Sequence, residues 1–221
     1  MIEENISKDV FLKTWTGGYR ENWVVYGAMT ERITGKFITE EEVVEKCLSP
    51  FYNPDHVSLE VGCGLAFWTD RYLAEHFKKV IAIDILPKDD FWKCELKNFA
   101  KIDYIELPDR DFTCKGVASD SIDFVWSFGV FCHLTLEANQ EYLNNIFRVC
   151  KKGARVALYY SNNDRRPHYK DDIQPPIDPK EPMWCNNNYK KTEAMLMKAG
   201  FKDIYDLMPE LPDTMICGTK I

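Results

Sequence analysis

The chain has 221 residues, 45% of them hydrophobic and 29% charged, with a formal net charge of −7. That is the composition of a single globular domain with enough Phe, Tyr and Trp to build a core without staples. The excess of acid repels a phosphate backbone and disfavours nucleic acid as a partner. No apolar run reaches the ~18 residues that a membrane span requires.

The first residues, MIEENISKDV, lack the basic start and apolar stretch of a secretory signal, and the eight cysteines form no CxxC pair. The expectation is a reduced, cytoplasmic chain that makes no use of a membrane. Residues 1–56 are rich in aromatic and helix-forming types and read as a small helical cap. Within them, Thr39 and Glu42 have the spacing of a capping box at the start of a helix.

From residue 57 onward, short apolar runs alternate with helical patterns. VSLEV (57–61) is a strand, AFWTDRYLAEHF (66–77) a helix, KVIAIDI (79–85) a strand and DDFWKCELKNFA (89–100) a helix. KIDYIEL (101–107) and SIDFVWSF (121–128) are further strands. LEANQEYLNNIFRVC (136–150) places Leu143, Ile146, Phe147 and Cys150 on one helical face, with Gly153 as its stop and a fifth strand running to Tyr160. Such alternation predicts an α/β fold of parallel strands joined by crossover helices. A polar, proline-rich loop, 161–188, follows. Loops of this length in compact domains usually act as lids or substrate loops. A helix over 189–201, stopped by Gly200, and two closing strands complete the chain. The last strand, around Met215–Gly218, is expected to run antiparallel to the others.

The segment richest in chemistry is Leu59-Glu60-Val61-Gly62-Cys63-Gly64-Leu65-Ala66, between the first strand and its helix. Glycines there permit a sharp turn and close approach of a ligand to the main chain, and the following helix start favours an anionic group. Asp84 stands 20 positions after Gly64, at the end of the next strand, where a carboxylate can accept both hydroxyls of a ribose. A dinucleotide fingerprint would need glycine at position 67, which is Phe67; that side chain obstructs the close helix–strand contact, so a nicotinamide or flavin cofactor is disfavoured.

LEVGCGLAF, with its E/DxGxGxG pattern, resembles the first motif of the class I S-adenosylmethionine-dependent methyltransferases. Asp84, SIDFVWSFGVFCHL and RVCKKGARVAL resemble that family's later landmarks, in its order, from about 57 to 160. Departures are Ala66 for the third glycine, Cys150, and Ala154 for a glycine. The resemblance implies a Rossmann-like, seven-stranded, mostly parallel sheet with helices on both faces, made by residues 57–221. It also implies S-adenosyl-L-methionine as cofactor, leaving as S-adenosyl-L-homocysteine.

Carried over by position, Glu60, Gly62, Cys63 and Gly64 would shape the methionine side of the pocket. Asp84 with Ile85 would hold the ribose, and Ser127 and Phe128 would lie beside the sulfonium. Asp111 would meet the adenine amine, with Asp109 as competitor and a plain loop carboxylate as the alternative.

In-line methyl transfer needs alignment, exclusion of water and, for a hydroxyl acceptor, a base. His133, in the turn after the fourth strand, is the candidate catalytic base; His168 and Asp164 are the alternatives, and a purely structural His133 is the bland reading. No HxxH, HxD or DxD pair stands at ligand spacing, so no metal is expected. Tyr19 and Arg20 in the N-terminal run, and Arg165, His168 and Trp184 in the long loop, are the substrate-binding candidates. Guanidinium and aromatic groups together suit an anionic or sugar-bearing small molecule. The activity expected is O-methylation of a sugar, nucleotide sugar or phosphorylated metabolite in carbohydrate biosynthesis. The alternatives are N-methylation and a non-catalytic cofactor-binding protein.

Overall fold

The computed structural model describes residues 38–92, 95–165, 187–211 and 214–221. Seven strands form one sheet: β1 (Asn53–Val61), β2 (Phe77–Asp84), β3 (Ile102–Glu106), β4 (Ile122–Ser127), β5 (Cys150–Tyr160), β6 (Phe201–Asp206) and β7 (Thr214–Lys220). Their order across the sheet is β3-β2-β1-β4-β5-β7-β6. The first five pair in parallel, and β7 inserts antiparallel between β5 and β6. Seven strands, five of them parallel, with an inverted β7 is the expected architecture.

The order reverses between β1 and β4, which makes their carboxyl ends a topological switch point, the place where ligands enter doubly wound sheets. Alternation along each strand separates two cores. Trp126, Phe124, Ala82 and Phe77 face one layer with Val43, Leu48, Trp68 and Leu73. Leu59, Val61, Val125 and Val156 face the other with Tyr142, Leu143, Ile146 and Leu196.

The helices follow their local signals where tertiary contacts allow. Thr39 and Glu42 form the capping box of α1 (Glu40–Val43). The stretch from Thr69 to Leu73 is a wider π turn that continues into α2 (Ala74–His76). Phe77, expected at the helix end, instead begins β2 by pairing with Asn53. β1 itself starts at Asn53, so the boundary expected at 56 falls inside a strand.

The helix predicted over 89–100 is reduced to α3 (Lys88–Trp92) and a 3₁₀ turn, Phe99–Lys101. Asp70 accounts for this: its Oδ1 accepts from the Asn98 amide at 2.9 Å and its carbonyl from Asn98 Nδ2 at 3.1 Å, a tertiary clasp that outweighs helix propensity. Helix α4 (Leu136–Val149) is capped by Thr135 and passes directly into β5 at Cys150. Gly153 is therefore not its stop. With φ +87° it lies within β5, beside the register shift between β4 and β5, while Lys151 pairs with Asp123 at 2.8 Å. Helix α5 (Tyr189–Ala199) starts on the Asn188 side chain and ends at Gly200, φ +112°, as its sequence predicts.

Candidate cofactor and acceptor site

The carboxyl ends of β1 and β2 are tied together by the glycine segment. The amides of Gly62 and Cys63 donate to the Ile83 carbonyl at 2.8 and 3.4 Å. The Gly64 amide donates to Asp84 Oδ2 at 2.7 Å, and the Leu86 amide to Asp84 Oδ1 at 2.9 Å. One half-buried carboxylate thus fixes the turn.

Gly62, at φ +74°, leaves no room for a side chain unless Val130 shifts: a Cβ there would lie 2.0 Å from Val130 Cγ2. A Cβ on Gly64, at φ +50°, would meet nothing within 4 Å among the described residues. Ala66 replaces the family's third glycine yet adopts the same left-handed backbone, φ 62°. A turn of left-handed glycines beside an acidic strand end fits the chemistry of an adenosyl-methionine ligand.

Below this turn, Glu60 points into the first core, 1% exposed. The Thr69 hydroxyl donates a short hydrogen bond to its carboxyl. Burial pushes its pKa up to about 8 and the Asp84 charge adds to this, against the opposing Thr69 bond. Glu60 is thus largely a neutral acid at pH 7 that shapes the pocket floor. Its register neighbour Trp126 is fully buried, and the indole Nε1 has no hydrogen-bond partner among the described residues.

At the end of β4, Ser127 Oγ donates to the Val61 carbonyl at 2.9 Å, stitching the two strands at the switch point. Phe128 packs among Tyr159, Trp68 and Trp126, with ring centroids at 4.6, 5.3 and 6.1 Å. The turn that follows holds His133, 2% exposed, whose amide donates to the Val130 carbonyl at 2.9 Å. Asn139, in the first turns of α4, reaches back: its Nδ2 donates to the Phe131 carbonyl at 2.9 Å and the Leu134 carbonyl at 3.5 Å.

Glu60, Gly62, Cys63, Gly64, Asp84, Ile85, Ser127, Phe128 and His133 therefore occupy the carboxyl edge of β1, β2 and β4 and its adjoining turns. Asp111 lies in the loop after β3, where its Oδ1 accepts from the Thr113 amide at 2.8 Å. Arg165, a substrate-binding candidate, pairs with Asp206 at 2.9 Å and donates to the Leu211 carbonyl at 3.3 Å. Asp206 is also held by the Tyr160 hydroxyl at 2.9 Å, so this guanidinium braces the ends of β5 and β6. Tyr19, Arg20, His168 and Trp184 lie outside the described residues, as do most of the expected cap and loop.

Among the described residues there is no cluster of three His, Cys, Asp or Glu able to hold a metal. Nor is any helix long and apolar enough to cross a membrane. The described free cysteines, including Cys63 and Cys132 near the site, are buried. Sequence reasoning missed Thr69, Val130 and Asn139, because each acts through a partner on another element.

A doubly wound sheet with an inverted β7 and a glycine turn facing an acidic strand end defines the class I methyltransferase architecture. A family model described as a methyltransferase domain matches residues 59–158. An uncharacterized methyltransferase-like protein of Schizosaccharomyces pombe is 26% identical over 141 residues, covering 62% of this chain and 45% of that protein. The match thus spans just under half of that relative's length.

Two solved structures extend the comparison. Human N-acetylserotonin methyltransferase, in complex with S-adenosylmethionine, has a TM-score of 0.60 at 16% identity, covering 96% of this chain and 59% of that one. The 1,6-didemethyltoxoflavin-N1-methyltransferase of Burkholderia thailandensis, with 1,6-didemethyltoxoflavin and S-adenosylhomocysteine bound, has a TM-score of 0.60 at 13% identity, covering 96% and 86%. At such identities the likeness is one of fold. The methyltransferase-domain model thus covers residues 59–158, just under half of the chain, and the fold around it is the one these S-adenosylmethionine-dependent enzymes share.

Proposed function

We propose that the protein transfers a methyl group from S-adenosylmethionine to a hydroxyl of a small molecule, of the sugar, nucleotide-sugar or phosphorylated-metabolite kind. The observation that carries the cofactor reading is the Gly64–Asp84 bond, which brings a left-handed glycine and a carboxylate together at the switch point. The cofactor, when bound, supplies an activated methyl group on a positively charged sulfur.

This chain's own residues do the rest. Asp84, at the strand end, accepts the ribose hydroxyls, with Ile85 alongside, while Gly62, Cys63 and Gly64 admit the methionine portion against the main chain. Phe128, at the end of β4, offers an aromatic face to the cation, and Ser127 holds that strand end in place. Asp111 serves the adenine amine. His133 takes the proton of the acceptor hydroxyl in the acceptor-side turn. Exclusion of water strengthens these electrostatic contacts.

Titration calorimetry with S-adenosylhomocysteine tests the pocket. Wild-type protein should bind it, and Asp84→Asn should weaken binding by at least about tenfold, the value of one hydrogen bond to a charged group. Unchanged affinity in a folded Asp84→Asn protein overturns the assignment. A panel of hydroxyl and amine acceptors with methyl-labelled cofactor then distinguishes O- from N-methylation.

A further inference from the structure

The turn between β4 and α4 contains no strand pairing, yet Phe131 and Leu134 are buried within it, 3% and 8% exposed. A carbonyl in that position needs a donor. Asn139, itself fully buried, supplies one amide nitrogen to both, at 2.9 and 3.5 Å. Its Oδ1 has no hydrogen-bond partner among the described residues. The position therefore uses only the donor half of the amide, as anchor for the turn's carbonyls.

That turn bears on the candidate site at two points. Val130 lies so close over Gly62 that any side chain there would collide with its Cγ2, so the turn and the glycine segment interlock. His133 is joined to Val130 by the bond between its amide and the Val130 carbonyl. A shift of the Phe131 carbonyl moves both neighbours, because one hydrogen-bonded turn spans Val130 to His133.

We propose that Asn139 is a positioning residue of the methyl-transfer site, holding the turn after β4 in register with the glycine segment through its N–H donors. This rests on the reading of that segment as the cofactor pocket. Asn139 touches no reacting group; it acts through Val130 and His133.

Replacement by an isosteric side chain of opposite hydrogen-bonding character isolates the claim. Asn139→Asp keeps the volume but turns oxygen atoms toward two carbonyls. Calorimetry with S-adenosylhomocysteine should show affinity at pH 8 reduced by about tenfold or more relative to wild type. The deficit should shrink on acidification, as a protonated carboxyl again donates one bond. Asn139→Ala should bind about 3- to 10-fold more weakly, the range of an ordinary hydrogen bond, with no such extra pH dependence. In both variants the Val130 methyl resonances of the ligand-free protein should move, a measurement that remains available if Asn139→Asp fails to fold.

Wild-type affinity in folded Asn139→Asp at pH 8, or unmoved Val130 resonances in folded Asn139→Ala, overturns the proposal. Wild-type protein that binds no S-adenosylhomocysteine overturns the cofactor reading instead, and the Val130 resonances then decide whether Asn139 sets the turn.

Discussion

Glu60→Gln probes the least ordinary group in the structure. Glu60 is buried, its partner is the Thr69 hydroxyl, and its pKa is pushed up to about 8 from an ordinary 4.5. The folded state therefore keeps a proton that the unfolded chain has lost throughout the interval between those values. Linkage then requires stability to fall as pH rises through this window, by about 1.4 kcal/mol per unit, with the full contribution present only below 4.5. By pH 7 the loss is about 3 kcal/mol, a large share of an ordinary domain's stability. Glutamine cannot ionise, and its Oε1 can still accept the Thr69 bond. Urea unfolding of both proteins at pH 5, 6, 7 and 8 should give near-equal midpoints at pH 5 and a variant that gains steadily on wild type up to pH 8. A difference that stays flat across these pH values would refute the neutral-acid assignment.

The two glycines of the turn should respond differently to the same change. Gly62→Ala, which forces a methyl into Val130 at a left-handed backbone, should cost about 2–5 kcal/mol in urea unfolding, whereas Gly64→Ala should cost only the backbone strain of about 1–2 kcal/mol. Arg165→Ala should lower stability by about 1–3 kcal/mol, by stripping the buried Asp206 of its cation, without changing the KM of an acceptor. A raised KM at unchanged stability would instead return Arg165 to substrate binding. His133→Ala should reduce turnover of a hydroxyl acceptor by about 10²–10⁴-fold and leave S-adenosylhomocysteine affinity near wild type, as read by methyl-transfer rates and calorimetry. Loss of both together would mark a structural histidine.

What the sequence made legible was local. The strand–helix alternation, the capping box at Thr39, the stop at Gly200 and the glycine turn with Asp84 each depend on residues close in the chain or one strand away. The misjudged elements were decided by distant partners. Asp70 captured Asn98 and cut short the helix expected to Ala100. Pairing of Cys150 with Ile122 ended α4 before Gly153 could. The Arg165–Asp206 pair, 41 positions apart, was likewise not announced by anything within either segment. Val130 over Gly62 and Asn139 beneath Phe131 were invisible for the same reason. Periodicity reports which face is buried, not which buried groups touch.

The two carboxylates at the glycine turn divide the work of one site by environment. Asp84 stands at the half-buried edge, where two backbone amides meet its oxygens. Glu60 is on the neighbouring strand, under the sheet edge, with one hydroxyl and an aromatic layer for company. The Asp84 charge itself helps keep Glu60 protonated. Of the two acids at the glycine turn, Glu60 is therefore the largely neutral one at pH 7. A second charge beneath the turn would raise the desolvation cost of the fold and repel Asp84. A protonated Glu60 instead fills the space below the glycines and adds no second charge beneath Asp84. Rising pH would undo this arrangement from below, so the pH dependence of stability reads the architecture of the pocket floor.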